Sequence, residues 1–272
     1  MKAKKIIAVL LILIMTMATT VFAEKISTST PKIKEQVITY SVGNINYKGF
    51  LACDENLKGK RPAVLVVPEW WGLTDYLKMR VRKLAELGYV AFAVDVFGNG
   101  KIADNPSEAQ NLTKAFYANP QLSKSILEAA LVKVKALRET DGSKILAIGY
   151  CFGGSVVLNA AKLGMDFKGV VSFHGGLRGV PADKQLLKAK ILVCHGADDK
   201  FVSPGDVNAF KQQMDSIGAD YKLIVYPNAT HAFTNPASTE NGKKFNMPIA
   251  YNEKADKDSW NDMKLFFKSI LK

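Results

Sequence analysis

Two kinds of apolar spacing divide the chain. VITYSV (37–42) and INYKGFLACD (45–54) read as neighbouring β-strands, with Gly43-Asn44 between them as the two-residue turn of a hairpin. Beyond residue 60 the pattern changes to short, continuous apolar runs: RPAVLVVPEW (61–70), YVAFAVDVFG (89–98), KILAIGY (144–150), FKGVVSFHGG (167–176), AKILVCHGADD (189–199) and DYKLIVYP (220–227). Continuous rather than alternating hydrophobicity predicts strands covered on both faces, as in a parallel sheet packed between helices. The helices come from the intervening segments. LTDYLKMRVRKLAELG (73–88) is amphipathic with Gly88 at its end. A longer helical stretch from 106 to 139 is punctuated by Pro106 and Pro120, SVVLNAAKL (155–163) follows the third of these runs, and SWNDMKLFFKSILK (259–272) closes the chain. No internal repeat or low-complexity linker separates two halves. The expectation is a single α/β domain over residues 36–272, with a mostly parallel central sheet flanked by helices and an antiparallel N-terminal hairpin at its edge.

The first residues follow a different rule. MKAKK is basic, IIAVLLILIM is apolar, and TTVFA places small residues before Glu24, the pattern of a cleavable signal peptide over residues 1–23. The apolar run is short for a membrane span, so no stable span is expected after cleavage. Residues 24–35 read as a polar leader. The expected location is outside the cytoplasm, periplasmic or secreted. Loss of Lys2, Lys4 and Lys5, with no acid among the same residues, lowers the formal charge from +12 to +9. The remaining lysines are scattered and not interleaved with aromatics, which excludes a nucleic-acid footprint and leaves solvation and weak attraction to anionic surfaces. A monomer is the expectation.

Three cysteines are too few for a disulfide framework in an exported chain of 272 residues. Cys53 and Cys194 lie in apolar strand-like runs, where buried thiols are common, and the sequence leaves open whether they are bridged. Cys151 stands apart. In GYCFGGSV (149–156) a strand feeds into a cysteine flanked by glycines and then into a helix. A residue at the apex of such a turn projects above the sheet edge, and glycines are needed where strand and helix approach closely. The apex also lies at a helix N-terminus, where free N–H groups favour an anion and hence a thiolate.

A nucleophile on this elbow needs an acid and a base, which follow it in that chain order. HGADDKFVSP offers Asp198 and Asp199 after one strand, and NATHAF offers His231 after the next. Both lie at carboxyl ends of strands, the edge where open α/β sheets bind ligands. Of the other two histidines, His174 follows a strand and approaches the same edge, whereas His195 is assigned structural hydrogen bonds. An oxyanion formed during acyl transfer needs backbone donors: one from Phe152, just after the nucleophile, and a second from a loop such as VVPEWWGLTDY (66–76).

Together these residues resemble the dienelactone hydrolase family of α/β-hydrolases. The resemblance rests on Glu69-Trp70-Trp71-Gly72, the Gly149-Tyr150-Cys151-Phe152-Gly153-Gly154 elbow, Gly196 to Val202 (GADDKFV) and His231-Ala232-Phe233, with Ala250-Tyr251-Asn252 before the final helix. It spans residues 36–272 and implies the α/β-hydrolase fold. It further implies Cys151 as nucleophile, His231 as base and Asp199 as the triad acid, because Asp199 precedes Lys-Phe-Val. Glu69 matches a family glutamate that hydrogen-bonds the resting thiol and helps to generate the thiolate. The N–H groups of Trp70 and Phe152 would form the oxyanion hole. The founding enzymes bind a dienelactone carboxylate with two arginines, but the corresponding places here hold Asn99 or its neighbours and Asn235, so no such clamp is expected. Trp71, Phe97 and Phe233, with Trp70 and Phe152, are instead assigned to an apolar substrate pocket.

The resulting expectation is an exported, cofactor-free hydrolase that cleaves a small-molecule carboxylic ester, thioester or lactone through a thioester acyl-enzyme. The histidine and cysteine spacings contain no metal motif. An amide-cleaving enzyme would favour a larger lid or an added domain, and a catalytically silent binding protein would have lost a member of the triad.

Overall fold

The computed structural model describes residues 30–271. The expected signal peptide, residues 1–23, lies outside the described residues. The hairpin forms where it was expected: β1 (Ile33–Val42) pairs antiparallel with β2 (Ile45–Asp54), and Gly43 at the first turn position has φ +55. Glycine reaches that angle without a Cβ penalty. β1 begins at Ile33, inside the stretch read as leader, because the antiparallel register extends to Ile33 opposite Asp54.

Six further strands follow: β3 (Arg61–Val67), β4 (Val90–Ala93), β5 (Thr140–Tyr150), β6 (Gly169–Phe173), β7 (Lys190–Gly196) and β8 (Tyr221–Tyr226). They form one eight-stranded sheet in the order β1-β2-β4-β3-β5-β6-β7-β8, parallel from β4 to β8 and antiparallel between β2 and β4. The helices are α1 (Asp75–Glu86), α2 (Pro106–Ala118), α3 (Pro120–Lys135), α4 (Phe152–Lys162), α5 (Pro204–Ser216), α6 (Ser238–Phe245) and α7 (Glu253–Ile270). The 106–139 stretch divides at Asn119-Pro120. Pro120 lacks the N–H needed to continue α2, and the Asn119 side chain accepts from the Gln121 N–H to start α3.

Both faces of the sheet are covered, as its continuous apolar strands require. Ile126, Ala130 and Val134 of α3 and Val156, Val157 and Ala160 of α4 pack on one face. Leu77, Val81 and Leu84 of α1, with Met263 and Phe267 of α7, pack on the other. Each fully buried Val, Leu, Ile, Met or Phe among them contributes about 1.5–3 kcal/mol of burial energy.

One run is shorter than its hydrophobicity suggests. YVAFAVDVFG yields only the four residues of β4, because the buried carboxylate of Asp95 gathers the backbone N–H groups of Lys48, Phe97, Gly98 and Gly100 at 2.8–3.1 Å. Those bonds wind the chain into a loop instead of extending the ladder.

The site is placed by a change of direction. The chain leaves β3 towards α1 on one face, whereas it leaves the adjacent β5 towards α4 on the other. A crevice opens between the two connections at the carboxyl edge. Close approach there depends on glycine: a Cβ on Gly149 would lie 2.0 Å from the Gly153 carbonyl oxygen, and one on Gly153 would lie 2.3 Å from that of Val67. Among the described residues, no helix is long and apolar enough to cross a membrane.

Gly153→Ala must force β3 and α4 apart. It is expected to lower stability by about 3 kcal/mol and the melting temperature by about 6–12 °C. A melting temperature within two degrees or so of the parent would show that the elbow absorbs a methyl group.

Candidate active site

Cys151 occupies the turn between β5 and α4 with φ +52 and ψ −115. A non-glycine residue held at such angles stores strain of about 1–3 kcal/mol. It is held by its own amide, which donates to Phe173 O at 3.0 Å and to His174 Nδ1 at 3.1 Å. The side chain is half-buried and faces the crevice. Phe152 is the first residue of α4, so its N–H is one of the amides a helix leaves without an internal acceptor.

The expected base meets this sulfur, and the expected acid meets the base. His231, in the loop after β8, places Nε2 3.0 Å from Cys151 Sγ, and its Nδ1 lies 2.8 Å from Asp199 Oδ2. Asp199 follows β7, and its second oxygen, Oδ1, accepts the N–H groups of Phe201 at 2.8 Å and Val202 at 3.3 Å. One carboxylate oxygen thus shapes its own loop and the other orients the ring. Asp198 is exposed and bonds only through its backbone, so the geometry distinguishes the two aspartates that the sequence offered. The His231 loop is pinned by a bridge between His231 and Ile249 and by the Ala250 N–H donating to Thr230 Oγ1 at 2.8 Å. Burial disfavours a charged imidazole. The facing sulfur of Cys151 and the carboxylate of Asp199 outweigh it and push His231 up to about 10.

Glu69, in the turn after β3, is buried and lines the same crevice, but it does not bond the thiol as the family resemblance implied. Its Oε2 accepts the Asn235 amide at 2.6 Å, while Cys151 Sγ is paired with His231. Asn235, at one position where the family's founders carry an arginine, is therefore buried and occupied in holding a carboxylate of the protein itself. Burial raises the Glu69 carboxyl to about 7, opposed by the Asn235 hydrogen bond and the positive charges of His231 and Arg80. Asn99, at the other position, is exposed in the β4–α2 loop.

The crevice has a volume of about 970 Å³. Trp70 and Trp71 form part of its wall with rings 5.1 Å apart, and Trp71 packs on Phe245 of α6. Two aromatic assignments need correction. Phe97 packs against Phe116 and Phe152 beneath the elbow, and Phe233 is fully buried between His174 and Tyr226, so neither lines the crevice. Both lie in runs whose apolar character reflects the core. Tyr117, Leu177, Phe201, Met247 and Ile249 line it instead. Phe201 was within reach of the sequence, two residues beyond Asp199. Met247 and Ile249 come from the short, Pro248-containing segment between α6 and α7, which carries no periodic signal.

His174 lies beneath the elbow, whereas His195 is buried with its Nδ1 unpartnered rather than fully hydrogen-bonded. Cys53 and Cys194 are both free and buried, and burial pushes the Cys194 thiol up to about 12. Among the described residues, no cluster of His, Cys, Asp and Glu side chains is arranged to hold a metal ion.

A model of the dienelactone hydrolase family matches residues 47–271. The chain is 30% identical over 242 residues to the protein usf of Aquifex pyrophilus, covering 87% of this chain and 99% of that one. It has the same identity and coverage with a protein of Aquifex aeolicus named "Putative carboxymethylenebutenolidase". Among solved structures, it is similar to a dienelactone hydrolase-like promiscuous phosphotriesterase from metagenomic libraries, with 33% identity and a TM-score of 0.83 over 88% of this chain and 98% of that one.

The raised Glu69 carboxyl makes a signed prediction. Its folded value of about 7 exceeds the ordinary 4.5, so the folded state holds a proton that the unfolded state releases between those pH values, and stability drains away as pH rises through that window. Glu69→Gln, which keeps an oxygen for Asn235, should gain on the parent from pH 4.5 to 7, reaching about 3 kcal/mol above it. Denaturant melts at acid and neutral pH measure this. An equal difference at both ends would contradict a buried, raised carboxyl.

Proposed function

The chain belongs to the dienelactone hydrolase family, hydrolases of ester and lactone bonds, and on that premise we propose that it cleaves carboxylic esters, thioesters or lactones by acyl transfer through Cys151. The observation that carries this reading is the continuous hydrogen-bonded chain Asp199–His231–Cys151 at the wall of an open crevice.

His231 Nε2, 3.0 Å from Cys151 Sγ, takes the thiol proton as the base, which generates a thiolate opposite an imidazolium. The thiolate attacks the acyl carbon, and its electron pair becomes the new S–C bond as the carbonyl π pair moves to oxygen. The N–H groups of Phe152 and Trp70 are the donors for that oxyanion; neither has an acceptor among the described residues. Collapse breaks the bond to the leaving oxygen, or to sulfur in a thioester, and that atom takes the proton from His231 Nε2. Water then attacks the thioester and gives its proton to the same nitrogen, and the thiolate is released beside imidazolium. Asp199 holds the ring with Nε2 towards sulfur and balances the charge it carries.

The lining points to the acyl or alkoxy group. Trp70, Trp71, Tyr117, Leu177, Phe201 and Ile249 offer apolar surface to that group, with Lys114, Arg178 and Lys200 on the same lining, and Asn235 and Asn99 supply no carboxylate clamp. We place this activity outside the cytoplasm, on the support of the basic, apolar and small-residue succession in residues 1–23.

Stopped-flow hydrolysis of p-nitrophenyl acetate and longer acyl esters by the mature protein tests the proposal. A burst near one equivalent of nitrophenol is expected, with Cys151→Ala abolishing it and His231→Gln lowering kcat/KM by about a thousandfold or more. A p-nitroanilide and an aryl phosphotriester belong in the same panel: turnover of the anilide alone would indicate amide cleavage. No turnover of any substrate, with Cys151 slow towards iodoacetamide, would leave a binding protein on a hydrolase fold.

A further inference from the structure

His174 is fully buried, carries φ +41 at the end of β6, and has no part in the acyl transfer just described. Left-handed backbone is costly for a histidine and persists only where surrounding contacts over-determine it. Those contacts are specific. Its Nδ1 accepts the Cys151 N–H at 3.1 Å, which fixes that nitrogen as the unprotonated one. Nε2 therefore carries the hydrogen and donates it to Thr234 Oγ1 at 2.8 Å. Thr234 lies three residues after His231 in the same loop. One neutral imidazole thus touches the backbone of the nucleophile on one side and the loop of the base on the other.

The Thr234 end is anchored in its turn. Its hydroxyl shares a 2.6 Å hydrogen bond with Tyr76 of α1, and its carbonyl accepts from Arg80 at 2.6 Å. The Arg80 guanidinium is buried, bonds Asp256 of α7, and lies over the rings of Tyr76, Tyr150 and Trp260. Burial, with the positive charges of His231 and Arg80 nearby, holds His174 well below the usual histidine range, so it stays neutral in this bridge. A protonated Nδ1 would instead face the Cys151 N–H donor to donor.

We propose that His174 and Thr234 are positioning residues, a buried brace between the nucleophile elbow and the base loop that sets the Cys151–His231 separation. The inference rests on Cys151 and His231 forming the reactive pair. The Sγ–Nε2 contact spans two loops that are 80 residues apart in the chain. Without a rigid strut between them, small displacements of either loop would lengthen a contact on which proton transfer depends steeply. The strut is short because β5 and β6 are neighbours: Tyr150 and Phe173, the residues before Cys151 and His174, are in register.

The test uses the mature enzyme with Thr234→Val, Thr234→Ser, His174→Phe and the His174→Phe/Thr234→Val double variant. Two readouts are taken: the single-turnover acylation rate with p-nitrophenyl acetate, and the rate of Cys151 alkylation by iodoacetamide, which needs no turnover. Thr234→Val, nearly isosteric, should slow both by about tenfold or more with KM within about twofold, and Thr234→Ser should restore them. The double variant should be no slower than His174→Phe alone, since both break one strut. Rates for Thr234→Val within about twofold of the parent, a failure of Thr234→Ser to restore them, or multiplying effects in the double variant would overturn the brace. If His174→Phe does not fold, the two Thr234 variants decide the question. A parent protein without an acylation burst would count against the acyl-transfer reading, while the alkylation comparison would still decide the brace.

Discussion

A sulfur 3.0 Å from an imidazole nitrogen is a demanding contact, because the two atoms belong to connections that follow different strands and lie 80 residues apart in the chain. The surrounding architecture can be understood as the means of holding it. The strand order brings the ends of β3, β5, β7 and β8 to one edge. Glycines at 149 and 153 let α4 start so close to β3 that Cys151 is forced into its strained apex. Asp199 divides its oxygens between its own loop and the ring of His231, so loop shape and imidazole orientation are fixed by a single carboxylate. Buried polar groups such as these are worth having only when every partner is in place.

Much of this was legible in the sequence because it depends on local rules. Short Val- and Ile-rich runs identify strands covered on both sides, and the glycines around Cys151 identify a close crossing. The chain order of Cys151, Asp199 and His231 follows from which strands they terminate. The legibility fails where a distant partner decides. Asp95 ends β4 early by collecting four amides, one of them from Lys48 on another strand. Phe97 and Phe233 are as aromatic as Trp71, but only packing distinguishes a core ring from a lining ring. The bridging role of His174 depends on Thr234, and no spacing rule links residues 60 apart.

The divergence from the family's founding enzymes also has a physical consequence. Where an arginine would meet a substrate carboxylate, Asn235 donates to Glu69 and keeps that buried acid turned from the sulfur. Cys151 is left to His231 alone, so the pair is assembled before any substrate arrives. The aromatic and aliphatic side chains around the crevice offer burial to an incoming acyl group, beside the cations of Lys114, Arg178 and Lys200 on the same lining.

The central claim is that the acyl group passes through the sulfur of Cys151, and identifying the covalent intermediate tests it most directly. Enzyme mixed with p-nitrophenyl acetate, quenched in acid during turnover and digested, should yield one acetyl group on the peptide carrying Cys151, labile to hydroxylamine as a thioester is. Ser155 also lines the crevice but lies on α4, with its hydroxyl bonded to Gly176. Steady turnover with no acetyl on Cys151, or with the acetyl on Ser155, would contradict the assignment.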